Sequence, residues 1–390
     1  MNLAEPSRVA YLVPSLAPTG PVRVALDLIR NLDHGRYQPL VIPLRAHDPR
    51  LVRSVAQDLN ATIRPLSAPW WRGRGELLRM LREGGVEILH AHCYKPMILA
   101  STLPRGIAKI LTIHNWPWLD YPETYGRLKG LAMWRAERAF LSRFDAVVPC
   151  SKALATGLAK RRPPESLVPA IQNGVDPTQF AAGRAVLRAM VRREFGIPED
   201  AVMFIVVGKL IARKGVPAVI SSYIAAGLKN ARLLVVGEGP DMAACAQSAA
   251  GRSDVVMTGF RGDIASLLSA SDIYVSGAGT EGLPLSVLEA YRCGLRLLLS
   301  DIPAHREVLE DCPQTGFLFA TPAGLADLMR LEHAHAPWAR KGSVQREHFS
   351  ATQMAARYQH VYDIVLGKNL PDDDAKEEHD ESVPGCAQLQ

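Results

Sequence analysis

Short apolar runs that alternate with helix-period segments constrain the fold of this chain more than any other feature. The alternation occurs twice, on either side of a stretch richer in proline and polar residues at 163–200. Strands that alternate with helices form parallel, doubly wound sheets, so the sequence predicts an α/β protein with two such sheets. The predicted strands are 8–14, 38–44, 62–66, 86–92, 109–114 and 146–150 in the first series, and 202–208, 232–237, 255–259, 273–276, 297–300 and 316–319 in the second. The predicted helices are 21–32, 49–59, 76–83, 124–142 and 152–160, then 216–226, 264–270, 285–292 and 350–366.

The length of the chain predicts two domains, because 390 residues exceed what one hydrophobic core usually holds. Ligands bind open parallel sheets at the carboxyl ends of the strands, so two sheets predict a cleft between those ends. His92, His114 and Lys209 follow or end predicted strands and are expected near the cleft. The predicted divisions are 1–170 for the first domain, 171–200 for a linker, 201–345 for the second domain, 346–368 for a C-terminal helix and 369–390 for a disordered acidic tail.

Composition excludes several classes of protein. A hydrophobic share of 48% favours a globular fold over disorder. No apolar run approaches the ~18 residues that a membrane-spanning helix needs, and residues 1–8 lack the apolar segment of a secretory signal. The six cysteines are scattered and form no C-x-x-C pair, which argues against a zinc site or a disulfide framework and predicts a reducing cytoplasm.

The net charge of +6 conceals a strong asymmetry. Residues 1–170 hold 24 lysines and arginines against 13 acidic residues, whereas residues 371–390 hold one lysine against seven acidic residues. The basic first half favours attraction to an anionic membrane surface or to an anionic lipid-linked acceptor, and an ordinary basic surface is the alternative. Nucleic acid is not an expected partner, because no recognisable binding module occurs.

The segment Glu281-Gly-Leu-Pro-Leu-Ser-Val-Leu-Glu289 carries the strongest functional signal. Pro284 suits the first position of a helix, where a missing N–H costs nothing. The unpaired N–H groups of that first turn suit an anion such as a diphosphate. Glu281 before the helix and Glu289 within it can accept hydrogen bonds from hydroxyls on either side of that anion, as a nucleotide sugar would require. Two solvated glutamates on a surface helix are the alternative.

A second signal is the loop Gly208-Lys-Leu-Ile-Ala-Arg-Lys-Gly215, which follows a predicted strand. Lys209, Arg213 and Lys214 lie beside glycines at a strand end, an arrangement that suits phosphate oxygens. A solvated basic loop is the alternative. No metal-ligand motif accompanies either segment, so no metal site is expected.

These two segments resemble the E-x7-E and G-R-L-x-x-x-K-G elements of retaining GT-B glycosyltransferases, most closely those of glycosyltransferase family 4. Lys209 stands where the family usually has arginine, whereas Lys214 matches directly. Asn173-Gly-Val-Asp176 is similar to an element of the family's linker, and the resemblance extends over residues 9–366. It implies a GT-B fold, in which two Rossmann-like doubly wound domains face a central cleft and the C-terminal helix crosses back to the first domain.

The resemblance also implies an activity, that of a retaining enzyme of hexosyltransferase type that uses no metal. Such an enzyme would move a sugar from a UDP- or GDP-linked donor to a hydroxyl of a glycan or lipid-linked acceptor, in the synthesis of surface polysaccharide or lipopolysaccharide. The nucleotide sugar would be a co-substrate, and no other cofactor is implied. Two alternatives stay open: a non-catalytic nucleotide-sugar-binding protein of the same fold, and a sugar-nucleotide epimerase.

The resemblance assigns roles to residues of both halves. Lys209 and Lys214 would hold the diphosphate together with the helix start, Glu281 would bind sugar hydroxyls, and Glu289 would bind the ribose. Glu307 would be an orienting or structural carboxylate, and His92 has a weaker claim than His114 to a place near the donor sugar. Gly20 would let the backbone approach the ligand closely, and Phe260 and Arg261 would lie near the base. The expected catalytic residues are His114, Lys209, Lys214 and Glu281, and the expected donor-binding residues are Gly20, Lys209, Lys214, Phe260, Arg261, Glu281, Gly282, Leu283, Pro284, Leu285 and Glu289.

The predicted helix 124–142 is a candidate for membrane contact. It carries Arg127, Lys129, Arg135 and Arg138 together with apolar residues such as Leu128. A basic helix with an apolar face is typical of membrane-surface binding, and an ordinary helix packed on its sheet is the alternative. The expected location is therefore the cytoplasm, with peripheral attachment to the inner face of the membrane.

Overall fold

The computed structural model of the chain describes residues 5–161, 163–176, 184–335 and 348–368. Within these ranges the strands form two parallel six-stranded sheets, one in each half of the chain. This confirms the predicted α/β class with two doubly wound sheets. The predicted acidic tail, residues 369–390, lies outside the described residues.

The first sheet has the spatial order β3-β2-β1-β4-β5-β6, so the winding reverses between β1 and β4. Its strands are β1 (Ser7–Val13), β2 (Tyr37–Pro43), β3 (Thr62–Ile63), β4 (Ile88–His92), β5 (Ala108–Ile113) and β6 (Ala146–Pro149). Its helices are α1 (Gly20–Arg30), α2 (Pro49–Leu59), α3 (Arg74–Glu83), α4 (Tyr94–Ser101), α5 (Pro117–Tyr125), α6 (Arg127–Leu141) and α7 (Lys152–Ala159), with a 3-10 turn at Trp70–Arg72.

The second sheet repeats this arrangement, with the order β12-β11-β10-β7-β8-β9 and a reversal between β7 and β10. Its strands are β7 (Val202–Val207), β8 (Ala231–Val236), β9 (Val255–Gly259), β10 (Ile273–Ser276), β11 (Arg296–Ser300) and β12 (Gly316–Phe319). The helices of this half are α8 (Arg184–Glu194), α9 (Val216–Ala226), α10 (Met242–Ala249), α11 (Ile264–Ala270), α12 (Leu285–Arg292), α13 (Pro303–Asp311) and α14 (Pro322–His335), followed by α15 (Ala351–Val365) and with a 3-10 turn at Ala212–Lys214.

Burial on both faces explains why the central strands appear in the sequence as continuous apolar runs. Residues Val9 to Val13 of β1 and Leu297 to Leu299 of β11 have no measurable exposure. Parallel sheets are covered by helices on both faces, so neither face of such a strand needs polar residues. In β11 the polar residues, Arg296 and Ser300, lie at the two ends of the strand. Ligands bind such sheets where the winding reverses.

The last described helix, α15, packs on the first sheet although it follows the second. The Tyr362 hydroxyl lies 2.9 Å from the Tyr11 hydroxyl and 2.8 Å from His90 Nδ1. His90 Nε2 and the Tyr358 hydroxyl each lie 2.8 Å from the Thr112 hydroxyl. Every polar group of this buried network has a partner, so the network fixes α15 against the first sheet without leaving an uncompensated polar atom at these contacts.

The structure corrects two sequence-based boundaries. The segment 124–142, predicted as one helix, includes the end of α5 and all of α6, which meet at Gly126 with a φ of +86°. A Cβ at Gly130 would lie 2.2 Å from the Pro122 backbone nitrogen, so this glycine allows the two helices to pack closely. The predicted strand 62–66 shortens to Thr62–Ile63.

Several helices of the structure are absent from the sequence-based prediction. Helix α4 buries Met97, Leu99 and Ala100 and has little polar surface, so no amphipathic stripe marks it. Helix α8 lies within the predicted linker 171–200, and its buried Arg192 pairs with Asp272 at 2.9 Å. That pairing between residues distant in sequence leaves no local signal.

Acid should destabilise this fold through His90. Burial lowers the pKa of His90 to about 3, whereas a histidine in the unfolded chain titrates near 6.5. Between these values the unfolded chain binds a proton that the folded chain does not, so the free energy of unfolding falls as the pH drops. The expected slope from this residue is at most about 1.4 kcal/mol per pH unit.

Urea unfolding of wild type and His90→Gln between about pH 4 and pH 6.5 measures this contribution. We expect a shallower pH dependence in the variant. His335→Gln, at the exposed end of α14, is the control and should keep the wild-type slope. Equal slopes in all three proteins would contradict the assignment.

Candidate active site

The two sheets face each other across a cleft of about 780 Å³, a volume typical of small-molecule sites. Residues of both halves line it, and every residue expected from the sequence to be catalytic or donor-binding is among them. From the first half these are Gly20 and His114, and from the second half they are Lys209, Lys214, Phe260, Arg261, Glu281, Gly282, Leu283, Pro284, Leu285 and Glu289. The structure therefore brings together side chains that are up to about 270 positions apart in the sequence.

The loop that carries Glu281 is in direct contact with the first half. A Cβ at Gly282 would lie 1.9 Å from the His114 carbonyl oxygen, so no larger residue fits there without moving the two halves apart. The Trp116 indole N–H donates to the Glu281 carbonyl at 2.6 Å. These contacts fix the backbone on both sides of the Glu281 side chain.

Helix α12 starts at the cleft with Leu285, at the bound that the predicted helix 285–292 gives. Pro284 is the N-cap residue and Leu285 is the first helical residue, which corrects the placement of Pro284 at the first helical position. The Asn173 side-chain amide donates to the Leu283 carbonyl at 2.8 Å and fixes this turn. The first N–H groups of a helix have no intrahelical acceptor, so the start of α12 offers donors and a positive dipole end to an anion.

Glu281 is a buried carboxylate that two cations hold in the charged form. Its exposure is 6%, and both Lys214 and Arg213 pair with it, with Arg213 Nη1 at 3.3 Å. Burial alone would raise the pKa of the Glu281 carboxyl, but Lys214 and Arg213 outweigh burial and hold the pKa below its usual value. Glu281 is therefore an ionised acceptor at neutral pH.

Glu289 is the second carboxylate of the cleft, and it is 1% exposed within α12. Arg23 of α1 pairs with it from the opposite half. Burial raises the pKa of Glu289, and the attraction of Arg23 only partly offsets this rise. The carboxylate that the resemblance assigns to the ribose is thus already in contact with a cation from the first half.

The basic loop after β7 brings Lys209 and Lys214 to the same wall of the cleft. Lys209 is exposed, and the Lys214 side chain crosses Gly208, where a Cβ would lie 3.7 Å from its Cε. Gly215 has a φ of +63°, and a Cβ on it would lie 2.3 Å from the Gly277 carbonyl oxygen. Only glycine fits this position, where the chain turns from the 3-10 turn into α9 beside the end of β10.

His114 follows β5 and is bonded to a second histidine. Its Nε2 lies 3.0 Å from His92 Nδ1, and burial lowers the pKa of His114 to about 3. The ring is therefore neutral at physiological pH. His92 itself has no exposure and stacks on Tyr11, so it supports His114 from behind rather than lining the cleft.

Phe260 and Arg261 follow β9 and also line the cleft. Phe260 is 66% exposed, which leaves a large aromatic face at the cleft wall. The Arg261 guanidinium is bound by Glu194 at 2.6 Å and Asp263 at 2.8 Å. These ion pairs orient Arg261 along the wall.

Glu307 is a structural carboxylate that joins the two halves. Its two oxygens accept hydrogen bonds from the backbone N–H groups of Lys152 at 2.9 Å and Ala153 at 2.8 Å. These are the first N–H groups of α7, in the first half, so Glu307 caps that helix from the second half.

Three residues of the site, Arg23, Trp116 and Asp120, were not site candidates in the sequence. Arg23 carried a weak signal, because it is a cation between two valines of a largely apolar helix. Trp116 and Asp120 carried none, since their partners Glu281 and Arg213 are remote in the sequence.

Within the described ranges, no group of three or more histidine, cysteine or acidic side chains is arranged to hold a metal ion. No helix in the same part of the chain combines the length and the apolar character required to cross a bilayer. The described cysteines, Cys93, Cys150, Cys245, Cys293 and Cys312, are free thiols.

Comparison with known proteins gives matches in each half and over nearly the whole chain. The family described as Glycosyltransferase Family 4 matches residues 18–179, and the family described as Glycosyl transferases group 1 matches residues 201–331. The O-antigen biosynthesis glycosyltransferase WclY of Escherichia coli is 23% identical over 384 residues, which cover 93% of this chain and 100% of that protein. The UDP-Gal:alpha-D-GlcNAc-diphosphoundecaprenol alpha-1,3-galactosyltransferase of Escherichia coli is 26% identical over 243 residues, or 58% of this chain and 60% of that protein.

Solved structures share the arrangement of both sheets. Anabaena Alr3699/HepE, in complex with UDP and glucose, has a TM-score of 0.76 at 15% identity and covers 91% of this chain and 99% of its own. WaaG, a glycosyltransferase involved in lipopolysaccharide biosynthesis, has a TM-score of 0.66 at 18% identity and covers 92% of this chain and 100% of its own. The two family matches and this shared fold show that the chain belongs to the group 1 / family 4 glycosyltransferases, which have the GT-B fold.

Proposed function

We propose that this protein is a retaining glycosyltransferase that moves a hexose from a nucleoside-diphosphate sugar to a hydroxyl of a glycan or lipid-linked acceptor. The observation that carries the proposal is the cleft between the sheets, where Lys209, Lys214, Glu281, Glu289 and the start of α12 meet. Cations and helix N–H groups suit a diphosphate, and buried carboxylates on both sides suit hydroxyl groups.

We propose one arrangement of the diphosphate, sugar, ribose and base of the donor in this cleft. The diphosphate would lie between the lysines and the start of α12, the sugar would lie toward Glu281 and His114, and the ribose toward Glu289. The base would then reach the wall formed by Phe260 and Arg261. The UDP and UDP-glucose complexes of Anabaena HepE support a uridine or similar nucleotide as the donor carrier.

The chemistry proposed for this site follows from the positions of its charges. The bond between the sugar's anomeric carbon and the diphosphate oxygen breaks, and the acceptor hydroxyl attacks from the same face. A diphosphate oxygen takes the acceptor's proton, while Lys209, Lys214 and the N–H groups of α12 stabilise the negative charge that develops on the leaving group. Neutral His114 would donate or accept a hydrogen bond at the sugar without adding charge.

The acceptor proposal rests on the relatives and on the charge of the first half. WclY acts in O-antigen biosynthesis and WaaG in lipopolysaccharide biosynthesis, as their names state. The excess of basic residues at 1–170 would attract an acceptor that carries phosphate, as lipid-linked glycans do. We therefore propose a role in the assembly of a surface polysaccharide or lipopolysaccharide.

A screen of UDP-glucose, UDP-galactose, UDP-N-acetylglucosamine and GDP-mannose by thermal shift tests the donor. We expect at least one to raise the melting temperature, because a ligand at 100 times its Kd adds about 2.7 kcal/mol of stability. NMR of the transfer product should show the donor's anomeric configuration retained. Stabilisation by none of the four, or an inverted product, would overturn the proposal, whereas donor isomerisation without an acceptor would favour the epimerase.

Lys214→Ala should reduce kcat/KM by about 100-fold or more, equivalent to ~3 kcal/mol of transition-state stabilisation, because the leaving diphosphate loses a charged partner. The measurement is steady-state turnover of the donor found in the screen. Lys229→Ala is the control, since Lys229 is an exposed lysine in the loop between α9 and β8, away from the cleft. Equal turnover in the two variants would rule out the diphosphate role of Lys214.

We further propose that the α5–α6 pair attaches the protein to the inner face of an anionic membrane. Leu119, Tyr125 and Leu128 are 47%, 48% and 88% exposed, and Arg127 and Lys129 lie beside them. Apolar side chains next to cations are the arrangement that binds at a lipid headgroup boundary.

Flotation with vesicles that contain phosphatidylglycerol tests this attachment. We expect the wild type to float at low salt and Leu128→Glu to remain largely unbound, because a carboxylate replaces the most exposed apolar contact and is repelled by the lipid. Leu331→Glu, at a 45% exposed leucine of α14, should float like the wild type. No flotation of the wild type at low salt would remove the membrane from the proposal.

A further inference from the structure

Helix α5 belongs to the first half, but it contacts two loops of the second half, the loop after β10 that carries Glu281 and the loop after β7 that carries Arg213. At its N-terminal end, the Trp116 indole N–H donates to the Glu281 carbonyl at 2.6 Å. One turn later, Asp120 Oδ1 lies 3.7 Å from Arg213 Nε. The first half therefore reaches both the backbone of Glu281 and one of the two cations bound to its carboxylate.

Arg213 is the centre of this contact. Its Nη1 lies 3.1 Å from the Thr280 carbonyl oxygen and 3.3 Å from Glu281 Oε2, while its Nε faces Asp120. The side chains of Arg213 and Asp120 are 17% and 19% exposed, so the contact is screened from most of the solvent. A planar guanidinium can hold both carboxylates at once, which an ammonium group cannot do with the same geometry.

The charges at this contact balance before the donor binds. Lys214 and Arg213 carry two positive charges, and Glu281 and Asp120 carry two negative charges. A donor diphosphate adds negative charge and would attract Lys214, which already lines the diphosphate end of the cleft. Glu281 would then depend on Arg213 as its remaining cation, since an unpaired buried carboxylate is strongly disfavoured.

We propose that Asp120 is a positioning residue which, through Arg213, holds the Glu281 carboxylate in the orientation that binds the hydroxyls of the donor sugar. This inference rests on the proposed function, because it assigns a partner to the sugar-binding role of Glu281. Asp120 touches neither the sugar nor the diphosphate in this scheme.

The position of Asp120 and Glu281 in different halves determines when the sugar can be recognised. Asp120 lies in the first half and Glu281 in the second, so the carboxylate is oriented only while the two halves are together. Nucleotide contacts made by the second half alone do not need this arrangement. The sugar would therefore be recognised after the cleft has closed on the nucleotide.

Asp120→Asn separates these contributions, because it removes the charge with little change in shape. Calorimetry would give the Kd of the best nucleotide sugar from the four-donor screen and the Kd of its nucleoside diphosphate. We expect the variant to bind the nucleoside diphosphate like the wild type. Its affinity for the nucleotide sugar should fall by about tenfold relative to that, the size expected when a sugar hydroxyl loses its hydrogen bond to the charged Glu281 carboxylate. The kcat for transfer should fall by a similar factor.

Three companion variants show whether Asp120 acts through Arg213. Glu123→Gln, at an exposed carboxylate of the same helix, is the control and should match the wild type. Asp120→Glu should restore part of the sugar-dependent affinity. Arg213→Lys keeps the charge but cannot hold both carboxylates, so it should show the same selective loss of sugar-dependent affinity. This variant tests the inference even if Asp120→Asn folds poorly. Adding Asp120→Asn to Arg213→Lys should cause little further loss, because both changes break the same contact.

The outcomes distinguish this inference from the proposed function. If the wild type binds and transfers a sugar but Asp120→Asn behaves like Glu123→Gln, the positioning role is wrong and the transferase stands. If Asp120→Asn lost affinity equally for the nucleotide sugar and for the nucleoside diphosphate, the positioning role would also be wrong, because that pattern means general damage to the cleft. If the wild type binds none of the four donors, the proposed function fails and the inference fails with it.

Discussion

The ion pairing of Glu281 is the interaction on which the candidate site depends. An ionised carboxylate costs several kcal/mol to bury, so Glu281 needs cations within contact distance to remain charged. Lys214 and Arg213 meet this need because β7 and β10 are neighbours in the second sheet and their following loops lie side by side. The strand order thus determines the electrostatics of the cleft.

The cleft also requires that two separate sheets keep a fixed relation. Three kinds of contact provide it: the buried tyrosine and histidine network of α15, the hydrogen bonds that Glu307 accepts from the start of α7, and the close approach of Gly282 to His114. The approach of Gly282 to His114 is a steric contact. The other two use hydrogen bonds, which are directional, so they fix geometry where apolar packing alone would allow the sheets to slide.

Much of this arrangement could be predicted from the sequence, and the reasons for the failures are physical. The apolar strands were evident because burial on both faces leaves no polar positions, and Glu281, Glu289 and Lys214 were evident because their spacing relates to a helix start and a strand end. The break at Gly126 was missed because a glycine between two amphipathic stretches looks like a tolerated helix interior. Asp120 and Trp116 were missed because their roles depend on contacts across the cleft, which no local pattern encodes.

The pairs Arg23–Glu289 and Asp120–Arg213 each take one partner from either half of the chain. A chimaera that combined the front half of one relative with the back half of another would therefore separate charges that were matched within each parent. Exchanging the first half to change the acceptor while keeping the donor would then require both partners of each of these two ion pairs to come from the same parent. The match between the two halves, rather than the stability of either half, would limit how freely such proteins can be recombined.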